Sequence, residues 1–398
     1  MKQKSKILLI TNLYPLSSDH SLLDATRALH DFVISWSTSA EVIVVRPQLQ
    51  PRFRIVLRPI RLKNLFYRSI ENKIDGIVVH TLSYITMPRI RLFNYKGFIK
   101  LLESEGFVPD IIITHRSSFI SIGDRLSSRY SVPHIVGVHN SDLSNINLYK
   151  EILSRSARIA CRSFSIRRRF LAKLPEFDDK VFIANSGIGE DKILKKAEFI
   201  KKADSAQDNT IKIISECSLI PLKNIDIVLR ALSGLSSAIH WHYTIIGDGP
   251  ERKNLEGLAQ TLGIDDKVSF MVYVENPRVY KFLDESNIFA MVSSPETFGL
   301  SYLEAMARGN IVIGTKGWGI DGIVIDGVNG YLCDEISTVN VRSKIMEIIT
   351  MSPTERRKMQ NQVFVTIKGY TINDMAQVYL DVIEQCIQEN KPQMIQDT

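Results

Sequence analysis

Short apolar runs recur along the chain, each bounded by polar residues. In the first half they are KILLIT (6–11), EVIVV (41–45), GIVVHT (76–81), DIIIT (110–114), PHIVGV (133–138) and KVFIAN (180–185). A second set follows at IKIIS (211–215), HYTIIG (242–247), KVSFMV (267–272), IFAMVS (288–293) and NIVIGT (310–315). Runs without polar alternation predict strands covered on both faces, as in a parallel sheet. Segments with helical spacing lie between several of them, at Leu22 to Trp36, Tyr95 to Glu105 and Ser117 to Tyr130. This alternation predicts an α/β protein with two doubly wound parallel-sheet domains facing a cleft, with strand C-terminal ends turned toward a shared ligand. The polar stretch 197–212 is the best linker, dividing a domain of residues 1–195 from one of residues 205–370.

Length agrees with that division: 398 residues exceed one ordinary core and fit two domains. A hydrophobic share of 44% with 23% charged residues excludes general disorder, leaving only the polar tail after Glu389. No apolar run reaches the roughly 18 residues of a membrane span. The start, MKQKSKILLITNLYP, reads as a first strand and not as a signal peptide, because its apolar run is short and soon meets Pro15. Cys161, Cys217, Cys333 and Cys386 are scattered, so reduced thiols are expected rather than a disulfide framework or zinc site.

The net charge of +7 is unevenly spread. Residues 1–190 hold 28 Lys and Arg against 16 Asp and Glu, whereas residues 191–398 hold 22 against 27. The cluster from Arg52 to Arg68 interleaves cations with Phe53, Leu57, Leu65 and Phe66. It reads either as a segment that lies on an anionic membrane surface or as a solvated basic face. Nucleic acid is not expected as a partner, because no zinc-finger, RRM or KH pattern accompanies the charge.

Candidate chemistry centres on SSPETFGLSYLEAMARGN, where Glu296 and Glu304 stand eight residues apart. Glu296 follows a strand and Glu304 sits in a predicted helix, Leu300 to Arg308. Gly299 at the helix start permits close approach of a ligand to the backbone. The free amides of such a helix end favour a phosphate or diphosphate. The two carboxylates suit hydroxyl donors instead, with Glu296 near a sugar and Glu304 near a ribose diol. Taken alone, two Glu at this spacing are as readily ordinary surface residues.

The whole line resembles the retaining glycosyltransferases of family 4. It matches their E-x-FG-x-x-x-x-E-A-x-A-x-G frame at Glu296, Phe298, Gly299, Glu304, Ala305, Ala307 and Gly309. GDGPER at 247–252, LIPLKNIDIVLRAL at 219–232 and DGVNGYL at 326–332 add to the match, so the resemblance covers the second half of the chain. It implies the GT-B fold of two Rossmann-like domains, an acceptor domain followed by a nucleotide-sugar domain. The helical run Ile372 to Gln388 would pack back on the first.

Donor binding would fall to Lys223, Glu304, Phe298, Gly299, Leu300 and Gly247, with Tyr273 and Val274 holding the base. Catalysis would involve Glu296 and His139, the latter after the strand HIVGV and supported by Asp142. Three departures stand out: Ser218 replaces the family Arg, Cys217 the Gly before it, and Asn224 the Gly after the Lys. Lys316 is a candidate replacement cation. Gly-rich sequence is also absent after the first strand, at Thr11, Asn12 and Tyr14.

The implied activity is transfer of a hexosyl unit from a nucleotide-diphosphate sugar to a saccharide or lipid-linked acceptor, in bacterial-type surface polysaccharide or glycolipid synthesis. No cofactor or metal is expected, since no DxD-type cluster stands at a strand end. The expected location is cytoplasmic, or peripheral on the inner face of the cell membrane. Two other classes stay open. One is a catalytically silent binding protein, favoured by Ser218. The other is a dinucleotide-dependent oxidoreductase, disfavoured because KILLITNLYPLSS has no glycine.

Overall fold

The structure is a computed structural model that describes residues 4–15, 27–49, 69–87, 90–92, 95–205, 210–272 and 276–391. It divides into two compact units. Unit 1 comprises Met1–Arg162, Arg167–Ala184 and Met375–Thr398, and unit 2 comprises Ser163–Ile166 and Asn185–Asp374.

Unit 1 is built on strands β1 (Lys6–Ile10), β2 (Glu41–Leu49), β3 (Ser69–Ile74), β4 (Ile77–Met87), β5 (Ile90–Leu92), β6 (Ile111–His115), β7 (His134–Val138), β8 (Arg158–Cys161) and β9 (Val181–Ile183). The strand order is β3-β4-β2-β1-β6-β7-β8-β9, with β5 on β4. Every residue of β6 and β7 is buried, as expected for central parallel strands under helices on both faces. In β1 the alternation splits the core. Ile7 and Leu9 join Phe32, Trp36, Tyr379 and Ile383 on one side, while Leu8 and Ile10 join Phe98, Leu102, Phe119 and Leu126 on the other. The last helix (Ile372–Glu389) belongs to unit 1 from Met375 onward, and Trp36 Nε1 donates to Ala376 O at 3.0 Å.

The sheet is not wholly parallel. β3 runs antiparallel to β4 through a two-residue turn at Asp75 and Gly76, whose φ values of 47° and 86° are those of a hairpin turn.

Unit 2 carries β10 (Thr210–Glu216), β11 (His240–Ile246), β12 (Val268–Met271), β13 (Ile288–Ala290), β14 (Ile311–Thr315) and β15 (Tyr331–Cys333). They form a parallel sheet in the order β12-β11-β10-β13-β14-β15. Helices Ile225–Ser233, Leu300–Ala307, Thr338–Ile349 and Pro353–Lys368 close its core.

The division between units falls after Ala184, not at 195, and the stretch 197–212 is not a linker throughout. Lys196–Ser205 is a helix of unit 2. Lys196, Glu198 and Lys201 face water while Phe199 and Ala203, one turn apart, are buried at 1% and 2% exposure. Even Lys202 is buried, donating to Leu283 O at 2.6 Å and Arg308 O at 2.7 Å.

Candidate active site

Strand order places the chemistry. In unit 2 the sheet reverses its direction of winding between β10 and β13, and the loops leaving the C-terminal ends of such neighbours open a natural ligand crevice. Lys223 comes from the loop after β10 and Glu296 from the loop after β13. Lys223 Nζ lies 2.6 Å from Glu296 Oε2, with the side chains 20% and 15% exposed, so the pair is enclosed yet reachable. The two loops are also tied through the backbone. Ser294 N donates to Leu222 O at 2.9 Å, and Asn224 Nδ2 donates to Val292 O at 2.8 Å. Asn224 has φ 51°, a left-handed conformation that asparagine tolerates better than most non-glycine residues. The Asn in place of the family Gly therefore keeps the backbone path to Lys223.

Glu296 is held from several directions. Ser293 Oγ donates to Oε2 at 3.3 Å and Thr297 N to Oε1 at 3.1 Å. Gly319 N donates to Glu296 O at 3.1 Å, and a Cβ on Gly319 would sit 2.6 Å from Glu296 Cγ. The GWGIDG turn is thus a backstop for this carboxylate. Gly299, with φ 82°, opens the helix Leu300–Ala307, and a Cβ there would strike the Tyr302 ring at 2.5 Å. Tyr302 is itself buried and its hydroxyl donates to Met291 O. Phe298 is only 6% exposed and packs in the core, as Leu300 does in part. Their side chains shape the loop rather than offer polar contacts.

Glu304 is the second carboxylate, and the structure adds a third. Tyr280 Oη donates to Glu304 Oε1 at 3.3 Å. Burial raises the Glu304 carboxyl above the usual range, against Lys192 and the Tyr280 hydroxyl, which pull it down. Glu216, the last residue of β10, is pushed up to about 8 by burial and then by the charge of Glu304. Its Oε2 is buried with no hydrogen-bond partner. These surroundings favour the uncharged form of Glu216. The sequence offered one signal for it, a carboxylate closing the apolar run IKIIS.

Gly247 and Gly249 serve a close approach. Their φ values are 145° and 156°, and Cβ atoms there would sit 1.9 Å from Cys217 O and 2.4 Å from Leu219 O. These glycines let the loop after β11 support the loop that carries Lys223. Ser218 is exposed, and Lys316 is paired at the surface with Asp334 at 2.6 Å. Tyr273 and Val274 lie outside the described residues, as does the basic cluster Arg52 to Arg68.

In unit 1 the corresponding reversal lies between β1 and β6. His115 ends β6, and His139 follows β7. His139 Nε2 and His115 Nδ1 are 3.0 Å apart, and His115 Nε2 is 3.3 Å from Tyr379 Oη. Asp142 takes hydrogen bonds from His139 N at 2.8 Å and Ser117 N at 2.9 Å, fixing the turn. Burial lowers both imidazoles, His115 to about 3 and His139 well below its ordinary value, with Arg162 adding to each. Both are neutral at physiological pH, so His139 can exchange hydrogen bonds with a hydroxyl. Gly137 makes the room, since a Cβ there would lie 2.3 Å from His115 Nδ1. Arg116, with φ 84° and ψ 134°, holds a conformation rare for a non-glycine residue, a strain typical of functional turns. Tyr14 is buried with its hydroxyl 2.7 Å from His30 Nδ1, so it serves the core. His115, Arg162 and Tyr379 were not legible as site residues, because partners so distant in sequence leave no local spacing.

The chain is similar to known glycosyl transferases. The family model described as glycosyl transferases group 1 matches residues 196–363. An uncharacterized glycosyltransferase of Methanocaldococcus jannaschii is 25% identical over 305 residues, covering 74% of this chain and 81% of that protein. The lipopolysaccharide core biosynthesis glycosyltransferase LpsE of Rhizobium meliloti is 27% identical over 183 residues, 46% of this chain and 52% of its own length. Among solved structures, Anabaena HepE in complex with UDP and glucose superposes with a TM-score of 0.66 at 16% identity, covering 96% of this chain and 100% of that one. That likeness shows the fold, which is GT-B.

Proposed function

We propose that this chain is a group 1 glycosyl transferase, a retaining hexosyltransferase that takes its sugar from a nucleotide diphosphate and delivers it to a saccharide or lipid-linked acceptor. The observation that carries the reading is the Lys223–Glu296 pair at the strand reversal of unit 2, with the half-buried Glu304 eight residues beyond Glu296. In this reading the Lys223 ammonium neutralises the charge that grows on the departing diphosphate, a stabilisation that strengthens as the bond breaks. Glu296 accepts from sugar hydroxyls, and Glu304 from the ribose diol. The bond from C1 to the diphosphate oxygen breaks as the acceptor oxygen bonds to C1 on the same face. The acceptor proton passes to the departing diphosphate. Glu296 orients the donor and does not attack it. His139, neutral and in unit 1, binds a hydroxyl of the reacting sugar or acceptor. No metal is assigned a part in this scheme. The relative named for lipopolysaccharide core biosynthesis supports a role in bacterial-type surface polysaccharide or glycolipid assembly. Such a role would place the enzyme in the cytoplasm or on the inner membrane face. Among the described residues no helix is long and apolar enough to cross a membrane.

The test is calorimetric titration with UDP, GDP, ADP and their common sugars, followed by proton NMR of the first product. One nucleotide should bind, lose affinity in Glu304→Ala, and yield a product with the donor's anomeric configuration. An inverted product would overturn retention. Absence of binding by every nucleotide would instead favour a silent fold, to which Ser218 points.

A further inference from the structure

We infer that Glu71, His80 and Glu105 form a binding site for a divalent transition cation of the zinc type in unit 1, separate from the proposed active site. Glu71 and His80 are register partners across the antiparallel pair β3–β4. Side chains so placed leave the same face of the sheet, roughly 5 Å apart at Cβ. Leu82, two residues from His80 and on the same face, packs with Phe98, Leu101 and Leu102 of the helix Tyr95–Ser104. That helix therefore covers the His80 face, and Glu105 follows its last residue. The ligand atoms of the three residues lie within 4.8 Å of one another. His80 Nε2 is 3.9 Å from Glu105 Oε1.

Three features of this cluster point to a cation. His80 is 2% exposed, and its Nε2 has no hydrogen-bond partner, a costly state for a buried ring nitrogen. Two carboxylates converge on that nitrogen. One of them, Glu105, stands at a helix C-terminus, where the helix dipole disfavours negative charge. A bound cation answers all three at once. One imidazole nitrogen and two carboxylate oxygens make the mixed set that zinc accepts, whereas magnesium and calcium prefer oxygen alone. Glu71 and Glu105 are exposed, so rotation can draw their oxygens to the roughly 2.0–2.2 Å that zinc requires, and water can complete the tetrahedron. The ion would clasp the edge hairpin β3–β4 to the end of a covering helix.

The experiment uses full-length, tag-free protein, stripped with chelator and titrated with zinc chloride by calorimetry. Hydrogen exchange of residues 69–82 is followed in parallel. One zinc per chain should bind, exchange in β3 should slow, and Glu71→Gln or Glu105→Gln should each weaken binding by about tenfold or more. Magnesium chloride at the same concentration should do neither. Both variants alter exposed side chains and leave His80 in place, so loss of folding does not confuse the reading. Zinc binding that is absent, or equally tight in both variants, overturns the inference. In that case the direct His80–Glu105 contact accounts for the cluster, and Glu105→Gln lowers the melting temperature equally with and without zinc.

Discussion

The two units use one architectural device for opposite chemistry. Each places its polar groups at the C-terminal ends of parallel strands near the reversal of strand order. Unit 1 sets imidazoles there, His115 buried against Tyr379 and His139 half-buried against His115, and desolvation and Arg162 keep them neutral. Unit 2 sets half-buried carboxyls, Glu216 and Glu304, in the same domain as a half-enclosed ammonium–carboxylate pair. Burial disfavours charge in both places, yet it strips a proton from one kind of group and forces a proton onto the other. The difference teaches that unit 2 can manage anionic charge, whereas unit 1 offers uncharged hydrogen-bonding groups suited to hydroxyls.

The largest effect should separate these roles directly. Lys223→Ala should lower kcat/KM by about 10³-fold, the scale of losing a group that stabilises transition-state charge. His139→Ala should cost about 10²-fold. Steady-state kinetics with the identified donor would read both, and a His139 loss exceeding that of Lys223 would break the division of labour.

Next in size, Gly247→Ala should destabilise unit 2 by about 2–4 kcal/mol, because its Cβ meets a backbone carbonyl and its φ is one side chains avoid. Chemical denaturation would measure it. Wild-type stability in that variant would show that the two loops of unit 2 part more easily than their packing indicates.

The comparison is sharpest in pH. His115 and His134 titrate at about 3 and about 4 in the fold, below the imidazole value of the unfolded chain, so unit 1 loses stability as pH falls through 6.5 toward 3. Glu216 titrates at about 8, above its unfolded value, so its contribution to unit 2 is full below about 4.5 and is lost as pH rises toward 8. Moving from pH 7 to 5.5 should therefore weaken unit 1 and strengthen unit 2, by about 1 kcal/mol per group. Lys202, lowered to about 7 by burial, opposes the unit 2 trend slightly in that window. Hydrogen exchange of β7 and β10 amides at both pH values would resolve the two units. Glu216→Gln should flatten the β10 response alone, and a β10 response unchanged by that substitution would remove Glu216 as its cause. The smallest effect is Asn224→Gly, expected within about 0.5 kcal/mol of wild type. Relief of the left-handed strain roughly offsets loss of the Val292 hydrogen bond.

Central strands were the legible part of the fold, because β1, β6, β7, β13 and β14 are continuous apolar runs. The short strands β8 and β15, RIAC and YLC, carry too few residues for any period to show. The helix Lys196–Ser205 was hidden by its polar composition, since only Phe199 and Ala203 mark its buried stripe. In the site, Lys223, Glu296 and Glu304 stood out through their frame of neighbours. Glu216, Gly319 and Tyr379 did not, because what matters about them is a meeting with residues far along the chain.

Unit 1 is discontinuous in the chain, being completed only by residues from Met375 onward. On the ribosome the order of completion is therefore inverted. Unit 2 has all of its residues once Asp374 has emerged, while the first-made sheet still waits for Tyr379, Leu380 and Ile383 to cover Phe32 and Trp36. The nascent chain thus carries an uncovered apolar face through most of its own synthesis, and that interval is where a chaperone would be needed.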